Sequence, residues 1–276
     1  MRTWTIGTGS MLHPTFDANE VLPASIEPRL REAGALLREA SRRRCDVMCL
    51  PELFADPSQG TQMGKWAEPE GGPVTSWLAA TARELQMAIV TTVALRQGDR
   101  MMNLGVAYDK TGQLAGRYAK VHLPCGEREV AAPGDGFPVF DLDGIKVGMQ
   151  ICYDLNFPEG CRILALKGAE VIIWPNMWGG MPEEHTDIIM KARAIDNLVC
   201  LVSSAYVLTG SGFFRVPKIH GRSCIIDASG TVVAEVGRRL GVATATVSLG
   251  DPRQAQDRRT LQEHRMPHLY GELVAR

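Results

Sequence analysis

Gly148-Met149-Gln150-Ile151-Cys152-Tyr153-Asp154-Leu155-Asn156-Phe157-Pro158-Glu159 is the most informative stretch of this chain. An apolar run leads into Cys152, and Pro158 with Glu159 suits the first turn of a helix. The pattern predicts a strand over 146–151 and a helix over 158–167. Cys152 then stands at a strand-to-helix junction, where a turn can expose sulfur and aim a backbone N–H at a reacting carbonyl. A free cysteine in an apolar run is otherwise a core residue. The reading of Cys152 therefore depends on what the rest of the chain places near it.

Outward from this junction, strands and helices alternate. Leu30, Ala33, Leu36, Leu37 and Ala40 have helical spacing over 26–44. Further helices are predicted over 74–86 and 183–196. Short apolar strands are predicted over 4–9, 46–50, 87–95, 170–174 and 198–205. Hairpins interrupt the pattern: strands over 138–142 and 146–151 flank Asp143-Gly144, a strong two-residue turn signal. Similar pairs flank 109–112 and 228–230, and a last strand covers 242–247. Recurring helices with interspersed hairpins imply an α/β fold of two mixed sheets covered by helices. No linker or repeat divides residues 1–276, so one domain is expected. A polar tail from about residue 251 is expected to pack on the surface or on a partner subunit.

The 276 residues are 45% hydrophobic, with 30 Lys+Arg against 31 Asp+Glu. This excludes intrinsic disorder and a basic footprint for nucleic acid or anionic lipid. Arg42-Arg43-Arg44 falls at a predicted helix end, where cations suit the dipole. No run approaches the roughly 20 apolar residues of a membrane helix. The start of the chain lacks an apolar signal region, which points to the cytoplasm. The seven cysteines form no CxxC pair and do not cluster with histidine at zinc spacing, so no metal site is expected. Gly7-Thr8-Gly9 lacks the third glycine of a dinucleotide loop. Gly221-Arg222-Ser223-Cys224-Ile225 fails as a serine elbow.

Two segments bear on Cys152. Leu50-Pro51-Glu52-Leu53-Phe54 sets a carboxylate after a buried strand, in company where an unpaired charge is costly. Tyr118-Ala119-Lys120-Val121-His122-Leu123 sets an ammonium at another strand end. With Cys152 they form an ordered Glu, Lys, Cys set. Pro133-Gly134-Asp135, 168–172, 192–197, Gly221-Arg222-Ser223 and Leu269-Tyr270-Gly271 extend the pattern along nearly the whole chain. The sequence resembles the nitrilase, or carbon–nitrogen hydrolase, superfamily, on its amidase and carbamoylase side.

That resemblance implies a four-layer αββα sandwich and no metal or organic cofactor. It implies Cys152 as nucleophile, Glu52 as general base, and Lys120 with the Tyr153 N–H as oxyanion donors. It also implies an assisting glutamate, Glu127 when counted back from Pro133, with Glu129 competing in a loop that is hard to align. The implied reaction is hydrolysis of a linear amide to a carboxylic acid and ammonia through a thioester. An N-carbamoyl amine or amino acid is the alternative substrate. A non-catalytic interaction protein on the same fold is a reading from another class. Nitrile hydrolysis is less favoured, because Tyr153-Asp154 stands where true nitrilases usually carry Trp-Glu. Ala119 replaces the arginine of the usual Tyr-Arg-Lys run.

For substrate binding, Asn156, Trp174, Asn176, Met177, Trp178 and His185 are the candidates. Leu155 and Asn156 stand where some relatives carry a carboxylate-binding arginine. A neutral amide is therefore favoured, unless Arg193 or Arg215 supplies the grip. A cation near Cys152 is expected to favour its thiolate. Family habit and the mixed polarity of 176–189 and 261–273 imply a homodimer or higher homo-oligomer.

Overall fold

The computed structural model describes residues 2–13, 25–56, 63–178, 182–207 and 222–275. Strand β1 (Arg2–Leu12) is followed by α1 (Glu27–Arg42), β2 (Val47–Cys49), α2 (Pro73–Leu85), β3 (Ala88–Gln97), β4 (Arg100–Tyr108) and β5 (Leu114–Ala119). Then come the short α3 (Cys125–Arg128), β6 (Val139–Leu142), β7 (Ile145–Met149), a 3-10 turn over Cys152–Asn156 and α4 (Pro158–Leu166). The chain continues through β8 (Val171–Pro175), α5 (Glu183–Asn197), β9 (Cys200–Ser204) and β10 (Tyr206–Val207). It ends with β11 (Ser223–Ile226), β12 (Val232–Gly237), β13 (Gly241–Leu249) and α6 (Pro252–Glu263).

Among the described residues the strands form two sheets. One runs β10-β1-β2-β3-β4-β5 with β13 also on β1, and the other runs β12-β11-β9-β8-β7-β6. Both are mixed. β1, β2 and β3 pair in parallel, as do β7, β8 and β9; β10 also joins β1 in parallel, while β13 on β1, β4 on β3, β6 on β7 and β11 on β9 are antiparallel. The expected pair of mixed sheets is what forms.

Period-two alternation sorts the side chains into layers. Val47 and Cys49 of β2 face Val147, Met149, Val171 and Ile173 of the other sheet, in an apolar layer between the two. Met48 points the other way, onto Ala33, Leu37 and Ala40 of α1 and Leu78 of α2. Ile172 and Trp174 of β8 likewise point outward, onto Leu164 of α4 and Met190 and Ala194 of α5. The order of layers is therefore helix, sheet, sheet, helix.

Local chemistry sets several boundaries. Gly7 and Gly9 lie inside β1, where a Cβ would come within 2.8 Å and 2.7 Å of the Met48 side chain. Their role is close packing, which accounts for the glycine pair without a nucleotide loop. Asp143 and Gly144 both take positive φ, 51° and 87°, as a tight hairpin between β6 and β7 requires. The tail begins with a regular helix, α6, capped by Asp251 through the Arg253 N–H. Its sequence is polar nearly throughout and carries no apolar stripe, so periodicity gives no sign of it. It rests on the end of α4, with Arg258 and Gln262 donating to the Ala169 and Ala165 carbonyls.

Candidate active site

The segments after β2, β5 and β7 converge at one edge of the sandwich. Past β2, Pro51 stops the strand and Leu53 takes a left-handed φ of 48°. Thr91 and Thr92 of β3 anchor this bend, donating to the Pro51 carbonyl and accepting from the Leu53 N–H. The Tyr206 hydroxyl donates to the Glu52 carbonyl at 2.8 Å. Glu52 is thereby held 2% exposed. Past β5, the Lys120 N–H donates to the Asn103 carbonyl, and the Lys120 carbonyl accepts from Gly134. Lys120 is also 2% exposed.

The two side chains meet. Lys120 Nζ lies 2.9 Å from Glu52 Oε1 and 2.6 Å from Glu127 Oε2. Glu127 comes from α3 and is buried, whereas Glu129 is exposed. Of the two candidate glutamates, the fold brings Glu127 into the cluster. Sequence reasoning missed Asn103, which is fully buried on β4. Its amide nitrogen donates to Glu52 Oε1 at 2.7 Å and to Glu127 Oε1 at 2.9 Å. The available signal was an amide inside the apolar run Met101–Tyr108. Glu52 Oε2 accepts from the Met177 backbone N–H at 2.9 Å. Both carboxylates are thus oriented by donors, as buried charges require.

Cys152 opens the 3-10 turn with a φ of 44°. For a residue with a Cβ, left-handed backbone costs roughly 1–2 kcal/mol, and neighbours must hold it. The Trp174 indole N–H donates to the Cys152 carbonyl at 2.9 Å. Arg193 donates to the Leu155 carbonyl at 3.1 and 3.2 Å. The turn swings Cys152 off the strand, half-buried, and leaves Tyr153 exposed beside it. The first N–H groups of a helical turn have no partner within it, and Tyr153 stands there.

Electrostatics makes this site a trap for one proton. Burial and the Glu52 carboxylate push the Cys152 thiol well above its ordinary value, and Lys120 offsets them only in part. Lys120 favours the thiolate, as expected of a nearby cation, but burial and Glu52 outweigh it. For Lys120, burial works against the charged form, but the Glu52 and Glu127 carboxylates lift its pKa above the usual range. Glu127 is raised by burial; Lys120 opposes the rise and Glu52 adds to it. The resting site therefore pairs a neutral thiol with a charged ammonium. Among the described residues, no group of three or more His, Cys, Asp or Glu side chains is arranged to hold a metal ion.

A family model described as carbon-nitrogen hydrolase matches residues 18–257. The chain belongs to the carbon–nitrogen hydrolase family. One relative of this hydrolase is a 2-oxoglutaramate amidase from Bacillus subtilis (strain 168), 33% identical over 222 residues, covering 79% of this chain and 84% of that protein. Another, described as a nitrilase, comes from Pyrococcus abyssi and is 33% identical over 259 residues, covering 90% and 95%. The crystal structure of a carbon-nitrogen hydrolase from Helicobacter pylori G27 superposes with a TM-score of 0.85 at 23% identity, covering 100% of this chain and 99% of that one.

The remaining candidate residues of the hydrolase separate. Met177 reaches the cluster through its backbone. Trp174 is fully buried against Trp178, with ring centroids 5.4 Å apart, on the helix side of its sheet. Asn176 is buried and donates to the Trp174 and Ser204 carbonyls and to the Ser203 hydroxyl. Both therefore brace the strand end, and their polar atoms are taken up within the protein. Asn156 donates to the Tyr153 carbonyl. His185 is exposed on α5. Arg193 is committed to the Cys152 turn, and Arg215 lies outside the described residues.

Proposed function

We propose that this carbon–nitrogen hydrolase cleaves a linear amide through a thioester on Cys152. Glu52 Oε2 takes the thiol proton as sulfur attacks the amide carbon. Oε1 is occupied by both Lys120 and Asn103, whereas Oε2 accepts from the Met177 N–H alone and is the oxygen with room for the proton. The carbonyl oxygen gains negative charge and is met by Lys120 and the Tyr153 N–H, each donor contributing roughly 3–4 kcal/mol. The proton passes to the leaving nitrogen, and ammonia departs. Water then attacks the thioester, with Glu52 again accepting a proton, and the acid leaves. Glu127 keeps Lys120 charged and aimed. The observation that carries this reading is the buried Glu52–Lys120–Glu127 cluster, clamped by Asn103 and set against a cysteine on left-handed backbone.

A neutral aliphatic or aromatic amide is the favoured substrate, because Arg193 donates to the Leu155 and Asn156 carbonyls and offers no fork to a carboxylate. The second reading is a carboxylate-bearing amide, and the 2-oxoglutaramate amidase among the relatives favours it. N-carbamoyl compounds remain the third class. The test is ammonia release over amides, N-carbamoyl compounds and nitriles, followed by kcat/KM for a neutral amide against its carboxylate analogue. A preference of about tenfold for the carboxylate, or about 1.4 kcal/mol, overturns the first reading. No ammonia from any amide overturns the function.

The same reading includes self-association and a cytoplasmic setting. Leu261, Met266, Leu269, Leu273 and Val274 of the tail are exposed, as are Ile188 and Ile195 of α5. Two such faces suit a second copy of the chain, which light scattering detects as at least a dimer. Cys45, Cys49, Cys161, Cys200 and Cys224 are buried free thiols, in keeping with a reducing compartment. Among the described residues no helix is long and apolar enough to cross a membrane.

A further inference from the structure

Asp154 is fully buried two residues after the nucleophile, and no step of the reaction uses it. A carboxylate has about four acceptor positions, and here each has a donor. Oδ2 accepts from the Tyr118 hydroxyl at 2.8 Å and from the Ile151 N–H at 2.9 Å. Oδ1 accepts from the His122 N–H at 2.9 Å and faces His122 Nδ1 at 2.8 Å. The Asp154 N–H in turn donates to the Ile151 carbonyl at 2.9 Å.

The partners are informative by position. Tyr118 and His122 flank Lys120 on either side, and Ile151 directly precedes Cys152. One carboxylate thus ties the backbone around the ammonium to the backbone around the thiol, across the gap between the two sheets. The His122 ring also stacks on Phe157, the residue that ends the nucleophile turn, with centroids 3.9 Å apart. A buried carboxylate would be expensive if its purpose were only packing. Its bonds join two strand ends that no backbone ladder connects, since β5 and β7 lie in different sheets.

We infer that Asp154 is a positioning residue that sets the distance between Lys120 and Cys152, acting through Tyr118, His122 and Ile151. This deepens the proposed mechanism and rests on its assignment of Lys120 and Cys152. An asparagine cannot replace it. One amide oxygen can satisfy the His122 side or the Ile151 side, and its NH2 then meets an N–H on the other.

The test is the labelling rate of Cys152 by iodoacetamide, read by mass spectrometry in wild type, Asp154→Asn, Lys120→Ala and the double variant. This readout needs no knowledge of the substrate. Asp154→Asn is expected to slow labelling about tenfold or more, with an unchanged circular dichroism spectrum. Lys120→Ala slows labelling about tenfold alone, but less than about threefold on top of Asp154→Asn, because the cation is by then no longer held at the thiol. Turnover of any amide found should lose kcat with KM within about threefold. Should Asp154→Asn fail to fold, Tyr118→Phe removes one donor and keeps the ring, and a slowing of about twofold to fivefold is expected. Labelling of the folded variant at the wild-type rate, or a full Lys120→Ala effect in the Asp154→Asn background, overturns the inference. If wild type releases no ammonia from any amide while this coupling is observed, the function falls and the positioning role stands.

Discussion

Strand β7 sends Val147 and Met149 into the apolar cluster between the sheets and then delivers Cys152 among charges. Strand β2 does the same with Val47 and Cys49 before Glu52, and β5 with Tyr118 before Lys120. The two regions share strands but follow opposite rules. Among the aliphatic side chains of that cluster, volume decides fit. At the strand ends a side chain matters by the identity of its atoms, since a missing donor or charge leaves its partner buried and unpaired. The core supplies the rigidity that lets three strand ends hold polar atoms within hydrogen-bond distance.

Substitutions can break this contrast. Cys152→Ala is expected to abolish ammonia release and leave the thermal midpoint nearly unchanged, because it deletes one half-buried sulfur. Activity retained in a metal-free Cys152→Ala preparation would refute the nucleophile. Next in size, Lys120→Ala should lose about 10²–10³ in kcat and about 3–5 kcal/mol of stability, the latter read by urea unfolding. It leaves Glu52 and Glu127 facing each other through Asn103. Adding Glu127→Gln should restore much of the stability and none of the rate. Recovery of both would place the cation in the scaffold alone.

In the core, Ile173→Ala should cost about 2–5 kcal/mol with kcat per folded molecule within about twofold. A large loss of kcat there would mean the two regions are not separable. The smallest effect sharpens the contrast through pH. Because the Cys152 thiol is raised well above its ordinary value, it stays protonated through pH 9. With Glu52 removing that proton during attack, kcat/KM should be flat between about pH 7 and 9. Glu52→Gln must instead draw on the rare thiolate, so its residual rate should climb about tenfold per pH unit across that window. A wild-type rate that climbs in the same way would show that thiolate, rather than base-assisted thiol, is the reacting species.

Much of this was legible in the residues. Alternating apolar strands, helical spacing over 26–44 and the Asp143-Gly144 turn are local signals, and local sterics and burial decide them. Glu52, Lys120 and Cys152 were legible as a set through family resemblance, each standing past the end of an apolar run. The polar helix α6 was not, because no stripe marks it. Counting back from Pro133 pointed to Glu127, but Glu129 competed with it until the fold buried Glu127 and left Glu129 exposed.

Asn103, Asp154 and Trp174 mark the boundary most clearly. In the sequence, Asn103 is an oddity in a strand, Asp154 a charge near a helix start, and Trp174 a pocket candidate. In the fold they clamp two glutamates, tie the Lys120 strand end to the Cys152 turn, and pin the Cys152 carbonyl. The sequence by itself determined the strands, the helices and the residue types able to do the chemistry, because those follow from neighbours along the chain. Only the tertiary structure decided which polar atoms face one another, and that the thiol rests protonated. Hydrogen bonds and charge effects depend on separations of a few ångströms between residues far apart in sequence, and those separations exist only once the two sheets have packed.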